Sequence, residues 1–177
     1  IPTLVRGKRD VIISDELNHG SIIDGVRLTK ASRAVYPHND MGALDQVLRD
    51  HSKSERKLII TDGVFSMDGD KAPLDVITAL AEEHEAMVFV DDCHGEGVLG
   101  DGGRGIVDHF DLQGRVDFEI GSFSKALGVQ GGIVAGSEQM RTHALNHSRS
   151  WLLSGSQPPG IAAAQKASIE VLMEEPE

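Results

Sequence analysis

Four short stretches of this chain place ionisable or hydroxyl side chains directly after apolar runs. Asn18-His19-Gly20-Ser21 follows the run Val11-Ile12-Ile13, and Asp62 to Asp70 (DGVFSMDGD) follows Leu58 to Thr61. Asp91-Asp92-Cys93-His94-Gly95 follows Ala86 to Val90, and Gly121-Ser122-Phe123-Ser124-Lys125 follows Val116 to Ile120. A lysine alone in a serine-rich turn is most often a solvated surface charge. At a strand end, among small residues and opposite an acid on another strand, it has a chemical use. Pyridoxal phosphate needs an amine to hold its aldehyde and a carboxylate to keep its pyridine nitrogen protonated. Lys125 and Asp91 are the candidates for that pair. Asp91, Asp92, His94 and Glu96 form a competing set, the oxygen and nitrogen ligands of a metal-dependent hydrolase. That reading leaves Lys125 and its serines without a role. A third reading is a non-catalytic folded module, because fold alone does not fix function.

These residues need a scaffold that presents strand ends together. The apolar runs are too short for helices and mostly unalternated, as expected of strands buried on both faces; Gly132 to Ala135 adds a fifth. Between them the spacing predicts helices over Ser21 to Ala31, Met41 to His51 and Leu74 to Glu85, the last behind Pro73. Ser137 is placed to cap a helix running to about Ser150, and Pro159 to open one reaching Met173. Alternating strands and helices predict an α/β domain with a mainly parallel sheet, which binds ligands beyond the carboxyl ends of its strands. The glycines from Gly95 to Gly105 read as a long loop. They are not a dinucleotide-binding turn, since Asp91-Asp92 would face the pyrophosphate and the tight strand–GxGxxG–helix context is missing.

The chain has 177 residues, 17 Lys and Arg against 28 Asp and Glu, and a formal net charge of −11. The size suits one domain without a linker. The charge disfavours nucleic acid and anionic membrane surfaces as partners. No apolar run approaches the roughly 20 residues that cross a bilayer. A single cysteine, Cys93, rules out an internal disulfide framework and fits a reducing compartment, so the expected location is cytoplasmic.

The stretches NHGSIIDGVRL, TDGVFSMDGDKAPL, VDDCHGEGVLGDGGRG, GSFSKALGVQGG and WLLSGSQPP, in this order, resemble the α-oxoamine synthases. These fold-type-I pyridoxal-phosphate enzymes condense an amino acid with an acyl-CoA. The resemblance runs along the whole chain and implies a three-layer, aminotransferase-like large domain. It implies that Lys125 carries the cofactor and moves the substrate α-proton, with His94 the second catalytic residue. Asp91 then partners the pyridine nitrogen, His94 hydrogen-bonds the phenolic oxygen, and His19 stacks on the ring. Ser66 becomes a polar contact in the cofactor pocket, although a simple turn serine is the alternative. Ser122 sits where the family usually has threonine and should contact the phosphate, with Ser124 a second phosphate candidate. No metal ligand is implied.

Residues 1–177 read as the central part of the large domain, without an N-terminal phosphate-binding turn or a C-terminal small domain. The expectation is no turnover by this polypeptide alone. The family often has serine-threonine before the proline pair, where this chain has Ser154-Gly155-Ser156-Gln157; in relatives that segment reaches the neighbouring subunit's phosphate, so a homodimer with a shared active site is implied. The phrasing of the motifs favours glycine C-acetyltransferase, with glycine and acetyl-CoA as partners. The alternative within the family is 8-amino-7-oxononanoate synthase, which joins alanine to a pimeloyl thioester with loss of the carboxyl group.

Overall fold

A computed structural model describes residues 1–175. Strands β1 (Val11–Asp15), β2 (Ser32–Tyr36), β3 (Lys57–Asp62), β4 (Met87–Asp91), β5 (Phe118–Ser122) and β6 (Gly132–Gly136) form one sheet in the order β2-β1-β3-β4-β5-β6. The first five strands run parallel and β6 runs antiparallel to β5. Helices α1 (Gly20–Arg27), α2 (Met41–Asp50), α3 (Leu74–Glu83) and α4 (Ile106–His109) connect the parallel strands. Beyond β6 come α5 (Glu138–His147), α6 (Arg149–Leu152) and α7 (Pro159–Glu174).

The strands lack alternation because both faces of the sheet are covered. Val11, Ile13, Ile59, Val88 and Val90 point into one core with Leu44 and Leu48 of α2 and Ile77 of α3. Their neighbours Ile12, Leu58, Ile60 and Phe89 point into the other with Ile22 and Val26 of α1. Each fully buried aliphatic side chain of this kind contributes about 1.5–3 kcal/mol. Local signals set the helix starts: Asp40 Oδ1 accepts from Ala43 N at 2.9 Å, Ser137 caps α5 through Met140 N at 3.2 Å, and Pro159 opens α7.

Three expectations need correction. The segment Ser21 to Ala31 is helical only to Arg27, and the following Ser32–Tyr36 is an edge strand. Only Tyr36 of that strand is buried, so its sequence lacks an apolar run. The predicted helix from Ser137 to about Ser150 breaks at Ser148, where the backbone is extended. The strand Gly132 to Ala135 exists but is exposed along its length, so burial on both faces does not extend to it.

The chain order changes direction between β1 and β3, the neighbours from which the crossovers depart to opposite sides. That is the switch point at which an open α/β sheet leaves a crevice at the carboxyl ends of its strands. Asp15, Asp62, Asp91 and Ser122 are the last residues of β1, β3, β4 and β5. The strands run a residue or two past the apolar runs, so Asp62, Asp91 and Ser122 lie in the sheet itself, while His19, His94 and Lys125 follow in the turns beyond it.

Candidate active site

Lys125 lies in the loop joining β5 to β6. That loop closes on itself through Phe123 N to Gly131 O at 3.0 Å, Val129 N to Phe123 O at 2.7 Å and Gly128 N to Lys125 O at 3.1 Å. Gly128 has φ 65°, a left-handed conformation that favours glycine, and it lets the chain reverse just after the lysine. Helix α7 braces the far side: Ser168 Oγ donates to Leu127 O at 2.6 Å and Gln165 Nε2 to Gln130 O at 2.7 Å. Lys125 itself is exposed at the tip.

Its Nζ stands 3.1 Å from His94 Nε2. His94 belongs to the turn after β4, and burial together with the Lys125 charge lowers its proton affinity. A neutral imidazole therefore faces the amine. Asp91, buried at 7% exposure, ends β4 and accepts from Cys93 N at 3.1 Å through Oδ1. Burial, and then a hydrogen bond to Asp91, pushes the Cys93 thiol up to about 12, so it stays protonated beside the carboxylate. The sequence-predicted residues Lys125, His94 and Asp91 thus come together at one end of the sheet. The Asp91 and Lys125 charges both act on His94 and on Cys93.

His19 is exposed, caps α1, and has its ring fixed by Ser21 Oγ at 2.8 Å from Nδ1. It is close enough for its charge to act on His94. Ser122 and Ser124 place their hydroxyl oxygens 2.6 Å apart, a paired set of donors ahead of the lysine. Ser66 differs. It sits exposed in the turn from Phe65 to Asp70, and its hydroxyl makes no hydrogen bond among the described residues. The structure does not join it to the other candidates.

The competing metal set is pulled apart by three separate hydrogen bonds. Asp91 accepts from Cys93 N, Asp92 Oδ2 from Ile106 N at 2.7 Å, and Glu96 Oε2 from Ser122 N at 2.7 Å. Each carboxylate serves a backbone N–H on a different segment, and among the described residues no group of three or more His, Cys, Asp or Glu side chains converges as a metal cage. Asp92 is 1% exposed, and burial pushes its carboxyl up to about 8, which suits a group packed beneath the site.

Several structuring residues have no assigned role in the sequence reading. Asn18 ties β1 to β3: Nδ2 donates to Ser14 Oγ at 2.9 Å and Ile60 O at 2.8 Å, and Oδ1 accepts from Asp62 N at 2.8 Å. Asp62 Oδ2 in turn accepts from His19 N at 2.7 Å. Burial pushes the Asp62 carboxyl up to about 6; the His19 N–H opposes this and neighbouring Asp91 adds to it. His38 bridges Asp15 Oδ1 at 3.0 Å and Asp70 Oδ2 at 2.7 Å, tying the Phe65–Asp70 turn to the end of β1. Burial lowers the His38 proton affinity, but the two carboxylates outweigh it and the net shift is upward. Asn18 inside NHGS and Asp62 and Asp70 inside DGVFSMDGD fall in stretches the sequence singles out, whereas His38 follows a strand the sequence does not reveal.

An amine, a neutral imidazole, a buried carboxylate and paired hydroxyls are the donor set that pyridoxal phosphate requires, so the residues present fit that group. Residues 1–176 match the family profile of aminotransferase class I and II. The chain is 58% identical over 180 residues to an 8-amino-7-oxononanoate synthase of Fervidobacterium nodosum, an alignment covering 100% of this chain and 46% of that protein. It is 53% identical over 173 residues to 8-amino-7-oxononanoate synthase 1 of Bacillus subtilis, covering 98% and 44%. A solved serine palmitoyltransferase with pyridoxal phosphate as an internal aldimine superposes with a TM-score of 0.90 at 36% identity, covering 97% of this chain and 43% of that one. The chain spans slightly under half the length of the curated relatives it matches. These relatives carry the name that the sequence reading held as its alternative, and none of the three is a glycine C-acetyltransferase. Fold, site chemistry and relatives agree: the chain belongs to the aminotransferase class I and II family, on its pyridoxal-phosphate-dependent α-oxoamine synthase branch.

Proposed function

We propose that this chain is the cofactor-binding core of an 8-amino-7-oxononanoate synthase, which joins alanine to a pimeloyl thioester and releases the alanine carboxyl group. The names of relatives at 53–58% identity favour it over the glycine and acetyl-CoA reading. The observation that supports the chemistry is the 3.1 Å approach of Lys125 Nζ to His94 Nε2 beside the buried Asp91.

When bound, pyridoxal phosphate supplies an aldehyde and an electron-withdrawing pyridinium ring. Lys125 Nζ would be the amine that holds the aldehyde and would also remove and return a proton at the substrate α-carbon. The Asp91 carboxylate keeps a proton on the ring nitrogen. The neutral His94 imidazole would donate to the phenolic oxygen, and the His19 ring, fixed by Ser21, would stack on the pyridine. Ser122 and Ser124 donate to the phosphate. Ser66, exposed in its turn, has no part in this reading. A homodimer sharing the site belongs to the same reading, and the exposed Trp151, Leu152 and Leu153 beside Ser154 offer it an apolar surface.

The test is covalent. The complete gene product is incubated with pyridoxal phosphate, reduced with borohydride and mapped by mass spectrometry. The expected label is on Lys125 alone; a label elsewhere, or none, overturns the assignment. Release of CoA and carbon dioxide from alanine with pimeloyl-CoA, exceeding release of CoA from glycine with acetyl-CoA, is the expected substrate preference. The reverse preference reinstates glycine C-acetyltransferase.

A further inference from the structure

Strand β4 turns away after Asp91, and the last ladder bond to β5 is Asp92 N to Ile120 O at 2.8 Å. β5 continues for two more residues, and the Ser122 N–H beyond that point has no strand β4 to pair with. The side chain of Glu96 fills the place. Its Oε2 accepts from Ser122 N at 2.7 Å. Its own backbone is held by Glu96 N to Asp92 O at 3.0 Å and by a bridge to Arg104. Gly121 admits the carboxylate: a Cβ built there would overlap Glu96 Oε2. Glu96 is two residues past His94, and Ser122 is three residues before Lys125. One side-chain bond therefore links the turn carrying the imidazole to the turn carrying the amine.

Beneath this link lies a cavity of about 200 Å³ lined by Glu96, Phe123, Leu127, Glu119 and Leu172, while on its other edge the end of β5 pairs with β6, Ser122 opposite Gly132. We propose that Glu96 is the positioning residue that sets the spacing of His94 and Lys125, acting as a side-chain substitute for the missing β4 ladder. The inference rests on Lys125 being the cofactor lysine; the mechanical link between the two turns does not.

The experiment compares Glu96→Gln, which keeps an acceptor oxygen, with Glu96→Leu, which keeps the bulk and removes it, in the complete gene product. Hydrogen exchange is read by mass spectrometry on cofactor-free protein, in peptides spanning Gly121–Lys125. The Ser122 amide should exchange about tenfold faster in Glu96→Leu, as expected on losing a hydrogen bond to a charged acceptor, and within about threefold of wild type in Glu96→Gln. With pyridoxal phosphate added, the pH midpoint of the visible absorption band should move by about one unit in Glu96→Leu and stay in place in Glu96→Gln. Wild-type exchange in Glu96→Leu overturns the proposal, and so does a Glu96→Gln variant that behaves like Glu96→Leu in both measurements. Should Glu96→Leu not fold, Glu96→Gln alone decides, and a Gln variant with fast Ser122 exchange refutes the acceptor role. If wild type forms no absorption band while the exchange pattern holds, the cofactor reading has failed and the positioning link has not.

Discussion

Replacing Asn18 with alanine removes the side chain that joins the ends of β1 and β3. The residue is 5% exposed and makes three hydrogen bonds, to Ser14 Oγ, Ile60 O and Asp62 N. Ser14 already donates its hydroxyl to Asp15 O at 3.1 Å and loses only an acceptor role. The other two groups, the Ile60 carbonyl and the Asp62 N–H, are left buried and unpaired, each at a cost of about 1–3 kcal/mol. Taking the lower half of that range for both gives a loss of about 3 kcal/mol. With a urea m-value of about 2 kcal/mol/M, the unfolding midpoint should fall by about 1.5 M. Asn18→Asp gives a second handle. Near pH 8 its carboxylate faces the Ile60 carbonyl and destabilises at least as much, whereas near pH 4 the protonated form donates again and stability recovers part of the way. Urea titrations of wild type and both variants at the two pH values read all of this. A change within about 0.5 kcal/mol for Asn18→Ala, the range of ordinary surface substitutions, refutes the bridge.

Two further outcomes follow from the same region. Asp62 has its carboxyl pushed up to about 6 by burial, so the folded protein holds that proton more tightly than the unfolded chain with its ordinary value of 3.8. Its contribution is fully present below about pH 4 and is lost as pH rises through about 6, a total of about 3 kcal/mol from 2.303RT times the difference. Asp62→Asn should flatten that part of the stability profile; equal slopes for the two proteins between pH 4 and 6 in chemical denaturation contradict it. Gly121→Ala should cost about 1–3 kcal/mol by forcing Glu96 out of its place, and much less in a Glu96→Ser background. Additive losses in calorimetry of the single and double variants mean that the Cβ meets no carboxylate.

Most of the parallel sheet is legible from sequence, because two-sided burial writes itself as unbroken runs such as Leu58 to Thr61. Strand β2 escapes because a half-exposed edge needs no such run, and Ser-Arg-Ala-Val-Tyr carries one fully buried residue. Strand β6 was found by composition, yet its exposure depends on what lies beside it in space. Within the candidate site, Lys125, Asp91 and His94 stand out in the sequence through motifs. Their supports were not, because Asn18 and Glu96 act on backbone groups 42 and 26 residues away in the chain. A hydrogen bond of that reach leaves no local spacing to read. Glu96 enters the sequence analysis only in the competing metal set, because an acid near a histidine looks the same whether it faces a cation or, as here, a backbone N–H.

The supports follow one physical rule. Where parallel strands diverge at the crevice, their last N–H and C=O groups lose ladder partners while still shielded from water, and each must be paired. Asn18 meets this need between β1 and β3, and Glu96 between β4 and β5. Asp92 does the same for the start of α4 through Ile106 N. The candidate residues Lys125, His94 and His19 each lie on a backbone stretch pinned by such a bond nearby, and their own side chains are exposed or half-buried. A site made this way is tied down along its backbone, while its amine is held only by the exposed contact with His94. That division suits the role proposed for Lys125, which would need its side chain to turn from the cofactor to a substrate proton without moving the strand that carries it.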